Sequence, residues 1–438
     1  MKQLVKIGVL CFARKTFDFN AAFDIYKKIQ TDLKRISQVE WRFIPELVIE
    51  EDEAIAAALE LKSKNIDAVI CISGTFHLGQ LILQFDRILQ KPLLLWGLYE
   101  LPYDGGRIRL NSVCGLNLDA SNLYKSGIHN FHYKIGPNID EDWIDAIRVI
   151  KAFTSSKIGI IGHHASGFFN IDVDEPILFK ETGVLLQQYE LKQVWDAEVS
   201  DIDVNKRREQ IKELFDISGI SDDQINKVAD LTAKFAAFMD KQGLHALAVR
   251  CWPEFAAEFG ISPCASMSIL QSEHYILGCE GDVLGLMSML AQKAIGGETP
   301  FLTDFSQVDF EQNYALLWHC GVAACNLWDG KCVRSLDSYF AGGKGVTADF
   351  VMKPGKVSLL RIDSVGEEFR IFLQRAEGLP MQKELKGTYL KTRFKDNIRV
   401  VLDKIITNGI AHHIALSYGN FIRPFEILAK IKKWQIVQ

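Results

Sequence analysis

Two carboxylates that end neighbouring apolar runs, and two histidine pairs far apart in the chain, are the residues whose types and spacing could do chemistry. Glu280 ends the run 275–280 (YILGCE) and Asp304 ends the run 299–304 (TPFLTD), with a nearly all-apolar helix expected over 283–295 between them. Read as strand, helix, strand, this unit puts both acids at carboxyl-terminal strand ends on one side of a parallel sheet, where ligand crevices form. Like charges that close repel strongly in a shielded site unless a cation neutralises them, and hard oxygen donors suit Mn²⁺, Mg²⁺ or Co²⁺. Solvated loop acids are the other reading of the same two residues. Asp282, just past Glu280, reads as the N-cap of the helix.

The pair His163 and His164 sits in GHHASGFF after an apolar run, either at a ligand crevice or as one solvated and one packed imidazole. His412 and His413 lie in AHHIALSYG. Neighbours on a strand face opposite ways, so at most one of this second pair is expected to point at a site. His319 stands beside Cys320, with Cys325 and Cys332 beyond. The spacing fits no common zinc pattern, so the nine scattered cysteines are read as reduced and buried thiols. Phosphate loops, dinucleotide fingerprints, nucleophile elbows, HExxH and CxxC are all missing from the sequence.

The elements that must position these residues alternate. Strand and helix signals over 4–98 give a doubly wound parallel sheet, closed by a helix over 140–153, and KIGIIGHH at 157–164 starts the same pattern again. Past His319 the texture changes to short alternating segments separated by Gly and Pro, which reads as antiparallel β, a small barrel in outline. The expected architecture is therefore α/β, with two doubly wound parallel-sheet domains over 1–155 and 156–320 followed by a mostly β domain over 321–438.

Net charge of −5 and 24% charged residues offer no footprint for nucleic acid, and no basic block suggests a membrane surface. No apolar run is long enough to span a bilayer, and the N-terminal stretch reads as a first strand rather than an export signal, so a cytoplasmic protein is expected.

On CEGDVLGLMSML, FLTD and AHHIALSYG the chain resembles the L-fucose and L-arabinose isomerases. The resemblance implies a metal-dependent aldose–ketose isomerase in which Glu280, Asp304 and His413 hold Mn²⁺ (or Co²⁺ or Mg²⁺), and both acids also serve as acid/base groups. His319, in LLWHCG, falls near where arabinose isomerases place a further ligand histidine. Trp252, in RCWPEF, and His319 are candidates to line a sugar pocket. The family's sugar contacts are not matched one for one around Arg14, Tyr103 and Trp252, which leaves the sugar open. An anionic hexose, sulfonated or phosphorylated, such as sulfoquinovose, is one alternative, with Arg14, Lys15 and Arg250 as possible positive partners. A non-catalytic sugar-binding α/β protein is the other. The resemblance also implies a homo-oligomer, a hexamer or trimer, with the pocket completed by a neighbouring subunit's first domain.

Overall fold

A computed structural model describes residues 1–437. Their contacts group into two units, one of residues 2–151 with 423–434, the other of Met1, residues 152–422 and the segment from Gln435.

In the first unit the apolar runs β1 (Val5–Phe12), β2 (Val39–Val48), β3 (Ala68–Ser73), β4 (Leu93–Gly97) and β5 (Phe131–Ile135) form one parallel sheet in the order β2-β1-β3-β4-β5. Strands β3 and β4 are buried along their whole length, as strands covered on both faces must be. The helix Phe19–Leu33 is capped by Asp18, whose carboxylate accepts from Ala21 N–H, and it buries Ala22, Tyr26, Ile29 and Leu33 at helical spacing. The helix Ser112–Lys125 and strand β5 (FHYKI) lack a strong apolar period and do not stand out in the sequence.

The second unit holds the other two sheets. Strands β6 (Ile158–Ile161), β7 (Leu186–Tyr189), β8 (Ala246–Val249) and β9 (Leu277–Gly278) make a parallel sheet in the order β7-β6-β8-β9. The remaining strands are β10 (Phe301–Asp309), β11 (Tyr314–His319), β12 (Ser335–Phe340), β13 (Gly345–Val351), β14 (Gly355–Val365), β15 (Glu368–Leu379), β16 (Thr388–Phe394), β17 (His413–Tyr418) and β18 (Gln435–Val437). They form a mixed sheet in the order β12-β13-β16-β11-β10-β17-β14-β15-β18, and β15 pairs with β16 as well. The fold is thus α/β, with two parallel sheets and one large mixed sheet.

Two expectations are corrected. Asp304 does not end a parallel strand: it lies fourth in the nine-residue β10, which pairs antiparallel with β11 and β17 and belongs to a different sheet from β9. The sequence shows an apolar run but not its partner, and here the partners come from later in the chain. The mostly apolar run 246–252 reads as a single strand ending at Trp252, but β8 stops at Val249 and Trp252 lies beyond it.

The helix Val283–Ala294 is buried on nearly every side, as its composition requires, and it packs on β14 and β17. Its buried Gln292 donates to the carbonyls of Ser358 (3.1 Å) and Ala415 (3.0 Å), and Ser288 Oγ accepts from Ile362 N–H at 2.8 Å. These bonds hold the middle and last turn of the helix against the two strands. Among the described residues no helix is long and apolar enough to cross a membrane.

Candidate active site

Glu280 sits in the turn Cys279–Gly281 that leaves β9, with left-handed backbone angles of φ 62° and ψ 11°. A side chain with a β-carbon is strained there by about 1–3 kcal/mol, and such strain persists only where neighbours dictate it. The neighbours are visible. Ala165 N–H donates to Glu280 O at 3.1 Å, and a β-carbon on Gly281 (φ 75°) would lie 2.4 Å from the His163 carbonyl oxygen. The loop that follows β6 is seated directly on this turn, so position 281 takes only glycine without displacing it.

Asp304 and His413 meet by register. Strands β10 and β17 run antiparallel with these two residues directly opposite each other. Opposed residues project from the same face, so the pairing alone brings carboxylate and imidazole together. His413 Nε2 lies 3.7 Å from Asp304 Oδ1 and 3.4 Å from Glu280 Oε2. Donors shared by one metal at about 2.1 Å stand about 3.0–3.4 Å apart. The donor sets that lie within 4.8 Å of one another are Glu280, His319 and His413, and Asp304, His412 and His413, so His413 is common to both and the two carboxylates must draw together to share one ion.

His413 is buried and its tautomer is set by Asp282. Nδ1 donates to Asp282 Oδ2 at 3.0 Å, so that once Nε2 gives up its proton its lone pair faces the two carboxylates. Asp282 does more than cap the helix. Its Oδ1 accepts from Gly285 N–H at 2.8 Å, and Oδ2 also takes Nη1 of Arg361, a residue sealed from solvent in β14. Burial pushes the Asp282 carboxyl up, but the Arg361 charge and the His413 contact outweigh it and hold it well below the usual carboxylate range. A carboxylate behind a metal-facing imidazole fixes ring orientation and raises its basicity.

Burial likewise pushes Glu280 up, and the contacts from His412 and His413 bring it down to about 2. His413 is driven down by burial but raised by Asp282 and Glu280 to about 9. His413 Nε2, Asp304 Oδ1 and His319 Nε2 are buried and have no hydrogen-bond partner among the described residues. A buried unpartnered polar atom is destabilising by about 1–3 kcal/mol, and three facing one another point to a missing guest. Glu280, Asp304 and His413 could hold a divalent cation.

His319 ends β11, stacked against His413 with ring centroids 5.5 Å apart. Cys320 N–H donates to His319 Nδ1 at 2.8 Å, so the hydrogen-bond network assigns the neutral ring's proton to Nε2. His412 departs from expectation. It precedes the first residue of β17, so strand alternation does not govern it, and its Nε2 also reaches Glu280 Oε2, at 3.4 Å. Phe168 stands against both His412 (5.3 Å) and Trp252 (5.7 Å), and Asn170 meets His412 Nδ1 at 3.1 Å. Half-exposed Trp252 thus belongs to an aromatic wall beside Glu280.

Arg250 is paired with Glu254, Nε donating at 3.0 Å, and its Nη1 donates to Gly162 O at 3.2 Å, so its charge is already matched. Arg14 follows β1 in the first unit, where its backbone N–H donates to Thr75 Oγ1, and Tyr103 is exposed in the same unit. All nine cysteines are free thiols. Sequence reasoning missed Asp282 as a partner of His413, and it missed Arg361, Phe168 and Asn170. Arg361 left a signal: an arginine within the apolar run KVSLLRI must find a carboxylate if buried.

No protein-family model matches the chain. Among characterised relatives, a sulfoquinovose isomerase of Priestia aryabhattai is 28% identical over 426 residues, covering 93% of each chain. A sulfoquinovose isomerase of Alkalicoccus urumqiensis is 26% identical over 449 residues, covering 99% of each. An ABC-transporter solute-binding protein from Agrobacterium vitis with bound α-D-tagatopyranose matches at 12% identity over 67% of this chain and 90% of that one. Its TM-score of 0.19 is too low to bear on the fold. The chain is similar over nearly all its length to sugar isomerases.

Proposed function

We propose that this chain is a divalent-metal-dependent isomerase of a sulfonated hexose, sulfoquinovose or a close analogue, converting the aldose to the ketose. The chain is an aldose–ketose isomerase of an anionic sugar. The observation that carries the metal-dependent reading is the convergence of Glu280 and Asp304, drawn from separate segments, on the unpartnered Nε2 of His413.

The reaction moves a proton from C2 of the aldose to C1, while the hydroxyl proton on O2 leaves and O1 gains one. A bound Mn²⁺, Co²⁺ or Mg²⁺ supplies Lewis-acid stabilisation of the charge that develops on the two sugar oxygens. Glu280 is ionised at neutral pH and, with Asp304, carries the acid/base work. Asp282 holds His413 with its lone pair inward. His319, with its proton on Nε2, is placed to donate to a sugar oxygen as that oxygen becomes more basic, which helps the transition state more than the ground state. Trp252 and Phe168 offer aromatic faces to the C–H surface of the sugar. The relation to fucose and arabinose isomerases, the homo-oligomeric state and a cytoplasmic setting belong to the same proposal. The β15–β16 pairing, which joins β16, β11, β10, β17, β14 and β15 in a cycle, supports reading the β region as barrel-like.

A substrate panel of sulfoquinovose, glucose 6-phosphate, L-fucose and L-arabinose, each with Mn²⁺ and with chelator, tests this. Turnover of the sulfonated sugar that vanishes in chelator and returns with Mn²⁺ is expected. Equal turnover in chelator with metal shown absent rejects the mechanism, and preference for a neutral sugar rejects the substrate.

A further inference from the structure

The pair His163 and His164 takes no part in the cluster just described, yet it is the other place where the second unit gathers metal-ligating groups. His163 Nε2 and His164 Nε2 each lie 3.9 Å from Asp172 Oδ1, and one donor atom from each of the three residues fits within 4.8 Å of the others. The rings of the two histidines are 4.5 Å apart. His164 Nδ1 donates to the Ala165 carbonyl at 2.8 Å, which fixes the tautomer with the Nε2 lone pair toward Asp172. A cavity of about 20 Å³ opens among His163, His164, Asp172 and Gly281, room for one ion or one water and far too small for a sugar.

We infer that His163, His164 and Asp172 form a second divalent-cation site, of the class that takes Zn²⁺. Two imidazoles and a single carboxylate favour Zn²⁺ over the harder Mg²⁺ or Mn²⁺. Three protein donors at about 2.1 Å from a tetrahedral ion stand about 3.4 Å apart, so each histidine–aspartate edge closes by about half an ångström, the two imidazole nitrogens start within 4.8 Å of each other, and the exposed side leaves the fourth position to water. The backbone is already bent to this purpose: His163 is left-handed at φ 64°, which throws two consecutive imidazoles onto one side of the loop instead of opposite sides. The two cation sites share a backbone seam, because Ala165 N–H is bonded to Glu280 O and the His163 carbonyl lies against Gly281. An ion held by His163, His164 and Asp172 ties both ends of the loop 163–172 and so fixes the surface on which the Glu280 turn rests. This inference needs no particular reaction and stands apart from the isomerase reading.

The test is Zn²⁺ binding to the full chain by equilibrium dialysis and calorimetry, on the wild type and on His163→Asn and Asp172→Asn. Asparagine tolerates the left-handed backbone at 163, and Asp172 is half exposed, so both variants keep the fold; thermal melting in chelator checks this. Two equivalents per wild-type chain are expected. Each variant is expected to lose one of them, with affinity at that site down on the order of 100-fold or more, while the other equivalent is unchanged. Hydrogen exchange over 163–172 slows on zinc addition in the wild type only. Two equivalents retained in either variant, a single wild-type equivalent that either variant leaves intact, or loss of both together overturns the second site; a single wild-type equivalent that both variants abolish supports it and counts against the Glu280 cluster instead.

Discussion

Two buried histidines, one in each unit, show what distinguishes a structural imidazole from a working one. His77, in the first unit, is sealed from solvent and uses both nitrogens, Nδ1 with the Thr75 carbonyl at 3.0 Å and Nε2 with buried Asp119 at 2.9 Å. His413 is as deeply buried and also has a carboxylate on one nitrogen, but its Nε2 ends in open competition between Glu280 and Asp304 with no hydrogen bond. Folding satisfies the first ring completely and leaves the second half satisfied. The difference marks where the protein expects a ligand, and burial alone would have ranked the two rings equally.

The largest effect expected from this contrast is chemical. Glu280→Gln keeps the shape and removes the charge that His413 faces, so kcat should drop by about 10³ or more, with circular dichroism and melting in chelator nearly unchanged. A drop of only a few-fold would mean that Asp304 alone carries the proton transfer. Next comes a paired experiment on the histidines themselves. His413→Ala should weaken Mn²⁺ binding by roughly 100-fold or more, measured by titration, whereas His77→Ala should leave metal affinity untouched. His77→Ala instead strands Asp119 without its partner and destabilises its unit by about 3–5 kcal/mol in chelator. Equal effects of the two on metal binding would erase the contrast.

The smallest effect is in pH. His413 is raised from 6.5 to about 9 in the folded metal-free chain, so its contribution to stability is fully present below pH 6.5 and is lost as pH rises through 9. That contribution is about 3 kcal/mol at most, from 1.36 kcal/mol per pKa unit. Glu280 works the other way: depressed to about 2, it stabilises above the ordinary carboxylate range and loses this as pH falls toward 2. Melting of the metal-free protein should therefore decline between pH 6.5 and 9, and the decline should be smaller in His413→Ala, the remainder coming from His319, which burial lowers but Cys320 and the facing acids raise to about 10.

Much of the first unit was legible because its strands are short apolar runs and its helices carry a clear period, and the buried helix Val283–Ala294 announced itself the same way. The three converging residues were singled out through the resemblance carried by CEGD, FLTD and AHH, since local context alone left solvated acids and a packed histidine open. The route by which they converge was not. Asp304 was read into the sheet of its predecessor, because a strand's sequence records which face is apolar and not which strand lies beside it. His412 was assigned to strand alternation although the strand starts one residue later. Asp282 looked fully explained as a helix cap, and one residue's local duty hid its long-range one.

The register that sets Asp304 against His413 also ties the site to the order of synthesis. The acids Glu280 and Asp304 leave the ribosome well before β17 exists, and at roughly 5–20 residues per second His413 follows Asp304 by roughly 5–20 s. Until then β10 has an unfilled edge where β17 will lie, and unpaired edges are where nascent chains aggregate. The last step that shields this edge is the same step that brings in the imidazole. A chain cut short before residue 413 is therefore both sticky and unable to complete its cation site, which leaves the cell no stable, half-working form to tolerate.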